Sequence, residues 1–463
     1  MNWGAFLVGM LPEHILLGGL LLLIVQAIVS DSPRGPAAAS IVIVAGAALA
    51  ALWLAVTGVQ AVPFPGQVSV TPAVSYGKAI ALALALPVLL LARDDLGDGG
   101  PLYPLLVSSL YGLALMLSSD SFLTLFLGLE LLSLPVYAMV LLGLKRESSP
   151  EAALKYLVLG GAATATFLMG VSLLYGQSGT LALSTFSKAL GSPYSLAVGG
   201  CALVLLAFFL KAAIVPFHAW APDAYDGASI PVTAYMAAVV KAGVLLAAVR
   251  LVAEAPLSPV ITGLLTALPL LSIVWGNLAA MKQPGLRRML AYSSIAHAGY
   301  LFLAFLGTGP QRHGALLFYL LVYGLMTVLA LAAVPADADD GRRDRLELLQ
   351  GLYQRQPFAA IVLGLAMLSL AGIPPLPGFV AKFVIFREVM AAGHTAVAVA
   401  GLVGSYLGLY FYLRVIQLTF MGPQPQAAVG ALPMRSAAWA AAWLCLLPLL
   451  VLTFLPGWVL ARL

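Results

Sequence analysis

Five ionisable side chains lie inside long apolar stretches of this sequence, where a charged group is costly and usually has a function. They are Glu130, Lys211, Lys241, His297 and Lys382. Burial disfavours the charged form of an amine and a nearby carboxylate favours it, so a carboxylate that moves relative to an amine can load or release a proton. Histidine titrates near neutral pH and suits a relay between amines. The set predicts proton transfer along a buried row. In this row Glu130 and Lys211 load the proton, Lys241 and His297 hand it on, and Lys382 releases it.

Each candidate also has a structural interpretation. Glu130 could form a structural ion pair or stay protonated and hydrogen-bonded, and a lone histidine such as His297 is often only packed and hydrogen-bonded. Lys241 lies in the middle of its apolar stretch, whereas a snorkelling lysine would lie nearer an end. Lys155 is a sixth candidate for proton transfer, but it lies close to a basic loop and could be interfacial.

Two of these lysines adjoin interruptions of their helices. Lys211 precedes its proline by five residues, and Lys382 follows the last proline of its break by five. Proline breaks a helix, and freed backbone groups at membrane depth are tolerated only where they face protein or water. Of the residues at the breaks, His218 is expected to satisfy freed carbonyls and Asp223 to lie in the first turn of the next helix. The residues predicted to shape the two breaks are Pro216, His218, Asp223, Pro374, Pro375, Pro377 and Gly378.

Transmembrane helices are expected to hold these residues. The chain has 463 residues, of which 62% are hydrophobic and 9% are charged, and its mean hydropathy is +1.02. This composition indicates a polytopic membrane protein rather than a soluble domain. A spanning helix needs roughly 20 apolar residues. On that basis about fourteen spans are predicted, near 13–30, 37–59, 73–92, 102–118, 120–143, 153–176, 196–219, 230–253, 258–280, 289–307, 314–335, 358–390, 395–420 and 436–460.

The order of lysine and break predicts internal symmetry. The lysine precedes the break in the seventh span and follows it in the twelfth, and spans five apart cross a membrane in opposite directions. An inverted repeat produces this reversal. We therefore predict an all-α polytopic membrane protein of about fourteen transmembrane helices, with two inverted five-helix repeats and with helices 7 and 12 broken. The predicted division is an N-terminal three-helix segment at 1–100, a first repeat at 101–257, a second, inverted repeat at 258–420 and a C-terminal helix 14 at 421–463.

Basic residues in the loops predict the orientation. One set of alternate loops holds thirteen of them: Arg34, Arg93, Lys145, Arg146, Lys282, Arg287, Arg288, Arg342, Arg343, Arg345, Arg355, Arg414 and Arg435. The other set holds six: Lys78, near a helix start, and Lys188, Arg250, Arg312, Arg387 and Arg462. Because loops rich in lysine and arginine stay cytoplasmic, both termini are predicted to be periplasmic in a bacterial inner membrane. The first apolar stretch lacks a basic flank and is interpreted as a retained helix rather than a signal peptide.

Other kinds of chemistry lack the residues they would need. The two cysteines, Cys201 and Cys445, lie apart in apolar segments, and the sequence has no metal-ligand spacing and no nucleotide-binding fingerprint. The net charge of +5 is small for this length and does not indicate nucleic-acid binding. We therefore expect this chain itself to bind no cofactor, no metal and no nucleic acid.

Several motifs resemble the antiporter-like subunits of respiratory complex I and the related cation/proton antiporter subunits. They are the stretch from Lys211 to Asp223, the mid-helix Glu130 and Lys241, and the Gly-Ile-Pro-Pro pattern with its lysine at 372–382. Three stretches are similar to the subunit N branch in particular: 151–156 with Gly160, 175–180 and 292–300. The resemblance is strong over about 101–420. Ser229 departs from the proline that the family often has there, away from the proton-transfer groups.

The resemblance implies a subunit of a complex that passes electrons from NADH to a quinone and pumps protons. NADH, FMN, iron–sulfur clusters and quinone would then bind to partner subunits. The expected partners are other membrane subunits of complex I, including related antiporter-like subunits, and the lipid bilayer. Two alternatives stay open: a subunit of a multi-subunit sodium/proton antiporter or membrane-bound hydrogenase, and a free-standing secondary solute transporter.

Overall fold

A computed structural model describes residues 3–29, 35–142, 148–252, 256–307, 309, 311–335, 344–421 and 436–463, and most of these are helical. The N-terminal elements are α1 (Trp3–Gly9), α2 (Leu11–Val29), α3 (Pro36–Val56), strands β1 (Ala61–Phe64) and β2 (Val68–Val70), and α4 (Pro72–Leu96). Next come α5 (Leu102–Leu117), α6 (Phe122–Leu141), α7 (Ser149–Ser178), α8 (Ser184–Ala189), α9 (Ser195–Ala212), α10 (Trp220–Gly227), α11 (Ile230–Tyr235), a π-helical segment (Met236–Val240) and α12 (Lys241–Leu251). The remaining elements are α13 (Pro259–Ala280), α14 (Leu286–Leu303), a 3₁₀ turn (Ala304–Leu306), α15 (Arg312–Ala332), a second 3₁₀ turn (Leu346–Leu349), α16 (Leu352–Arg355), α17 (Pro357–Ala371), α18 (Pro377–Ala391), α19 (Thr395–Met421), α20 (Ser436–Phe454) and α21 (Pro456–Leu460).

The described part of the chain contains twelve helices that are long and apolar enough to cross a membrane, counting α11 to α12 as one. The prediction of an all-α polytopic membrane protein is therefore confirmed. About fourteen spans were expected, and the difference arises from short helices. Helix α5 has 16 residues, and the two halves of the interrupted twelfth span, α17 and α18, have 15 each.

The helices at the centre of the bundle are almost fully enclosed by protein. The continuous helix α11–α12, α14 and α15 bury nearly all of their residues, whereas α2, α7 and α13 leave much of their length exposed. Large apolar side chains such as Leu21, Met169 and Trp275 form part of this exposed surface, which fits contact with lipid or with other subunits. Lys241 and His297 are therefore carried by the most buried helices of the molecule.

Proline and short polar residues fix where many helices begin. Proline occupies the first turn of α4, α13, α17 and α18, where its missing N–H costs no hydrogen bond. The Thr71 hydroxyl accepts a hydrogen bond from the backbone N–H of Val74 at 3.3 Å and so caps α4. Ser121 caps α6 in the same way through the N–H of Leu123. These caps set the register of the helices that carry Glu130 and Lys78.

Two basic residues that were counted with the loops, Lys78 and Arg287, are fully buried. Lys78 was placed near a helix start, but it lies inside the bundle and forms an ion pair with Glu13. Arg287 was counted as a loop residue, and its side chain is also enclosed and paired with Asp344 at 2.8 Å. Burial alone would raise the pKa of Asp344, but the hydrogen bonds and charge of Arg287 outweigh it and hold this pKa below its ordinary value. This pair ties the segment that follows α15 to the start of α14.

Candidate functional site

The first group of predicted proton-transfer residues lies between α6 and α9. Lys211 is in the last turn of α9, and its Nζ lies 3.5 Å from Oε1 of Glu130 on α6. The same amine donates to the hydroxyl oxygens of Ser133 at 3.2 Å and Tyr137 at 3.3 Å. Glu130, Ser133 and Tyr137 are three and four residues apart, so one face of α6 presents all three to the lysine.

A hydroxyl and a small residue on α7 hold this group in place. The Thr164 hydroxyl donates to Oε1 of Glu130 at 2.5 Å. One turn earlier, a Cβ added to Gly160 would lie only 1.9 Å from the Tyr137 oxygen, so a side chain there would displace the tyrosine. The sequence did not single out Thr164, Ser133 or Tyr137, because isolated hydroxyl residues are common in membrane helices and carry no charge.

The chain breaks directly after Lys211, as predicted. Helix α9 ends at Ala212, and α10 begins at Trp220 with Asp223 in its first turn. Side chains satisfy the freed backbone groups: Ser272 accepts from the N–H of Val215 at 2.9 Å, and Trp220 donates from Nε1 to the carbonyl of Leu210 at 2.9 Å. Pro216 lies within this break. The break therefore keeps its geometry through bonds to α13 and α10.

His218 was expected to satisfy freed carbonyls at this break. The imidazole interacts with the backbone of Pro216 within the break, and Nε1 of Trp275 donates to its Nε2 at 2.9 Å. His218 therefore also links the break to α13, and Trp220 satisfies the carbonyl of Leu210.

Lys241 follows the π-helical segment and begins α12. Its Nζ donates to the carbonyl of Ser294 at 2.6 Å and also contacts the hydroxyl of that serine. The ring of Tyr323 lies 5.9 Å from the amine, and the hydroxyl of Tyr225 lies 3.3 Å from the Ser294 hydroxyl. Single-turn π segments are frequent at functional sites. Here the widened turn immediately precedes the lysine, which no local sequence signal indicated.

His297 lies one turn beyond Ser294 on α14 and is buried between two tyrosines. Its Nδ1 is 2.8 Å from the hydroxyl of Tyr319, and its Nε2 is 3.2 Å from the hydroxyl of Tyr412. The Tyr412 hydroxyl in turn lies 2.5 Å from the hydroxyl of Ser293. Each ring nitrogen therefore has a hydroxyl that can donate or accept, which is the arrangement a proton relay requires.

Lys382 lies on α18 and faces the end of α17. Its Nζ donates to the carbonyl of Ala371, the last residue of α17, at 2.9 Å and to the Ser405 hydroxyl at 3.0 Å. The Tyr300 ring lies 5.2 Å from the amine. Gly372 has a φ of 84°, and a Cβ there would lie 3.2 Å from Nζ. Lys382 thus lies at the carbonyl end of α17, beside the second break.

The second break is short and tightly packed. It comprises residues 372–376, with Pro374 and Pro375 inside it and Pro377 as the first residue of α18. The N–H of Gly378 donates to the hydroxyl of Ser369 at 3.2 Å. A Cβ on Gly378 would lie 1.8 Å from the Ser369 carbonyl oxygen, so only glycine allows this approach of α18 to α17. Beside the break, a cavity of about 440 Å³ reaches Lys382 between α17, α18 and α19.

One face of α14 joins three of the buried groups. Ser294, His297 and Tyr300 are spaced three residues apart, so they lie on the same side of the helix. Through Ser294 this face contacts Lys241, and through Tyr300 it contacts Lys382. Within the described residues, no hydrogen bond connects the group around Lys211 to the group around Lys241. Near the Lys211 group, the ring of Tyr156 packs against the rings of Tyr137 and Trp220.

Lys155 lies apart from this row. Its side chain is 43% exposed and pairs with Glu151 at 2.6 Å and with Asp223 at 2.7 Å. Arg288 also pairs with Asp223, at 2.8 Å. Lys155 thus belongs to a surface salt-bridge cluster, as the interfacial alternative required. Asp223, predicted as a break residue, is the acidic centre of that cluster.

Comparison with known proteins gives the family of this fold. Residues 119–408, more than half of the chain, match the family model described as "NADH:quinone oxidoreductase/Mrp antiporter, TM". A relative named NADH-quinone oxidoreductase subunit N from Pelobacter propionicus is 41% identical over 89% of this chain and 89% of its own length. Among solved structures, a chain of respiratory complex I from Thermus thermophilus with bound aureothin has a TM-score of 0.84 and 36% identity, covering 97% of this chain and 98% of that chain.

A more distant structure has the same fold. A chain of the Mrp complex from Dietzia sp. has a TM-score of 0.83 at 22% identity, covering 98% of this chain and 96% of its own length, which is a likeness of fold alone. The long matches at 34–41% identity to several relatives of the same name are closer. This chain therefore belongs to the family of NADH-quinone oxidoreductase subunit N, the antiporter-like, proton-pumping membrane subunit of complex I.

Proposed function

We propose that this chain translocates protons along the buried row formed by Glu130 with Lys211, Lys241, His297 and Lys382, driven by quinone reduction elsewhere in complex I. The observation that carries the proposal is the shared face of α14. It brings His297 between the contacts of two buried lysines, each bonded to a hydroxyl and to a backbone carbonyl. Buried cations without a carboxylate partner are expensive in a membrane, and this cost favours a proton-transfer role.

Each amine of the row contacts a carboxylate or a hydroxyl that can take part in proton transfer. A small movement of Glu130 relative to Lys211 changes the free energy of holding a proton on the amine, because the carboxylate favours its charged form. Lys241 can pass a proton to the hydroxyl of Ser294, and His297 can accept one on one ring nitrogen and release one from the other. Lys382 then holds the proton beside the cavity at the second break. Lys155 is omitted because it lies in the surface cluster.

The proposed architecture has fourteen crossings. The twelve longer helices are joined by α5 and by the α17–α18 pair, which counts as one crossing. Helix α9 is already among the twelve, and α10 continues it beyond the break. Residues 1–100 form a three-helix segment, 101–257 and 258–420 are two inverted repeats, and 421–463 hold the last crossing. The matched breaks support the repeats: Lys211 precedes a break that contains proline, and Lys382 follows another.

We further propose that both termini face the periplasm of a bacterium. Burial sharpens the charge asymmetry, because three basic residues of the sparser loop set, Lys78, Arg250 and Arg312, are largely enclosed by protein. The exposed members of that set are few, so the excess on the other side is larger than the sequence count suggests.

Topology reporters test this orientation. A reporter fused after Leu463 or inserted near Gln67 should read as periplasmic, and one near Arg343, which lies outside the described residues, should read as cytoplasmic. Fourteen crossings that begin in the periplasm must also end there, so a cytoplasmic reading at Leu463 would contradict the proposed topology. Permissive sites are needed, and Gln67 lies in the exposed turn between β1 and β2.

The proposed partners are the other membrane subunits of complex I, including related antiporter-like subunits, and lipid. NADH, FMN, the iron–sulfur clusters and quinone are proposed to bind to partner subunits. Purification of the chain with its neighbours from native membranes tests this assignment. We expect the preparation to contain flavin and to oxidise NADH with a quinone as acceptor. A flavin-free assembly that exchanges sodium for protons would instead support the multi-subunit antiporter alternative, and a chain isolated alone and active would support a solute transporter.

A further inference from the structure

A second glutamate–lysine pair is buried in the N-terminal helices, apart from the proposed row. Lys78 on α4 lies 2.5 Å from Oε1 of Glu13 on α2, and the two side chains are 0% and 1% exposed. Taking two charges out of water is expensive, and such a pair adds little to stability compared with apolar residues of similar size. A contribution to stability therefore does not explain why this ion pair is buried inside a membrane protein.

Glu13 keeps one oxygen available for a proton. Its Oε1 accepts from Lys78 and lies 3.4 Å from the hydroxyl of Ser118, whereas the buried Oε2 has no hydrogen-bond partner among the described residues. The hydroxyl of Ser75, one turn before Lys78 on α4, is likewise buried without a partner in the described part of the chain. A carboxylate oxygen only accepts hydrogen bonds, whereas a protonated carboxyl at Oε2 would also be a donor.

The pair lies near a partly exposed polar patch. Ser118 caps the C-terminal end of α5, and the preceding carbonyl of Leu117 accepts a hydrogen bond from Arg250. Arg250 pairs with Asp120 at 2.8 Å, and the Asp120 side chain is 35% exposed. Ser69 at the β-hairpin donates to Asp120 at 2.7 Å. Asp120, at the partly exposed patch, is thus only two residues along the chain from Ser118, whose hydroxyl contacts Glu13.

Several other titratable or charged groups lie around the pair. Tyr111 on α5 is close enough to interact electrostatically with Glu13. His14, the next residue along α2, is 3.1 Å from the carbonyl of Phe6 through its Nε2. His313 on α15 bonds to the backbone of Ala73 at the start of α4 and lies near Arg312 and Arg250. The composition matches the first group of the row, in which a glutamate and a lysine from different helices meet with hydroxyl groups.

We propose that Glu13 and Lys78 form a second proton-exchanging pair, which binds and releases a proton at the end of the bundle that carries the β-hairpin. In the empty state the carboxylate and ammonium sum to zero charge. A proton taken from water at this end binds to the carboxylate of Glu13, so that the loaded pair carries one positive charge. Release returns the same proton to water. The proposal rests on the proposed function, because it adds an exchange site to a proton-translocating subunit.

Carbodiimide labelling of the intact complex tests the proposal directly. Hydrophobic carbodiimides modify carboxyl groups that are protonated in apolar surroundings, so Glu13 should be labelled increasingly as the pH falls, and peptide mass spectrometry would locate the label. Lys78→Met should increase the labelling, because the neutralising ammonium is gone. Glu13→Gln should abolish it at this site. Absence of label on Glu13 of the wild-type complex at every pH would overturn the proposal, and this test requires no variant to assemble.

Proton pumping by charge-neutral and charge-swapped pairs gives the functional test. Glu13→Gln with Lys78→Met removes the titrating groups without leaving a lone charge, and we expect a lower ratio of protons pumped to NADH oxidised. Glu13→Lys with Lys78→Glu restores an ion pair and should recover the ratio. The matched control is the buried pair Arg287→Met with Asp344→Asn, whose arginine cannot release its proton.

The outcomes separate this proposal from the assignment of the main row. Normal pumping by the complex with Glu13→Gln and Lys78→Met would overturn the inference, because the pair would then be only a structural link between α2 and α4. If Lys211→Ala still stops pumping in that case, the proposed function stands. If neither change affects pumping in an assembled complex, both fail.

Discussion

Lys211→Ala should abolish proton pumping by the assembled complex, or reduce it by about tenfold or more, which corresponds to at least ~1.4 kcal/mol in the rate-limiting transfer. The amine of Lys211 is the meeting point of Glu130, Ser133 and Tyr137, so alanine removes the group that would take the proton and leaves the carboxylate without its partner. Pumping by the complex in reconstituted vesicles, measured together with quinone-linked NADH oxidation, provides the test.

Glu130 should behave as part of the same unit. Glu130→Ala should lose about as much pumping as Lys211→Ala, and the double variant should lose little more, because residues that act together are not additive. Glu130→Asp should be milder, since it keeps the charge and shortens the reach toward Thr164 and Lys211. Lys155→Ala is the matched control, because that lysine lies in the surface cluster and its loss should leave pumping close to wild type. Wild-type pumping by both assembled alanine variants would exclude Glu130 and Lys211 as the loading pair.

The charged members of the site could be predicted because each is rare in its surroundings. A lysine or glutamate in the middle of an apolar helix stands out in the sequence, and proline and glycine mark the two breaks. The hydroxyl groups that contact these charges could not be found in the same way. Ser294, for example, is one of two adjacent serines, and only the packing of α14 against α12 shows that its carbonyl and hydroxyl meet Lys241.

The elements that the sequence analysis missed share a physical cause. Lys78 is only six residues beyond Pro72, so spacing alone suggested a position near the surface, and its burial depends on the helices that pack around α4, among them α3, α11, α15 and α20. The hairpin of β1 and β2 lies in the short connection between α3 and α4, and its backbone bonds to the end of α5 hold it in place. The π segment before Lys241 consists of residues that would also suit an ordinary helix. In each case tertiary contacts decide the structure.

Lys382→Arg should assemble normally and yet lose proton transfer through this subunit. Arginine keeps the positive charge but cannot release its proton at ordinary pH. The cavity of about 440 Å³ beside Lys382 gives the longer side chain room, and the Ala371 carbonyl and Ser405 hydroxyl can still accept hydrogen bonds from a guanidinium. Pumping in reconstituted vesicles should therefore fall while assembly is unchanged. Arg387→Lys is the matched control, because it lies on the same helix with a side chain that is 46% exposed.

Lys382→Glu should instead keep part of the function, which separates proton transfer from simple charge stabilisation at the break. The carbonyl of Ala371 accepts a hydrogen bond from the lysine, so a glutamate could contact it favourably only while protonated. Loss of that proton would move the carboxylate toward the Ser405 hydroxyl, and the side chain could thus still bind and release a proton. If Lys382 only anchors the end of α17 electrostatically, arginine should be tolerated and glutamate should be damaging. An active arginine variant together with an inactive glutamate variant would therefore overturn the proton-release role of Lys382, because only the charge and not the exchangeable proton would then matter.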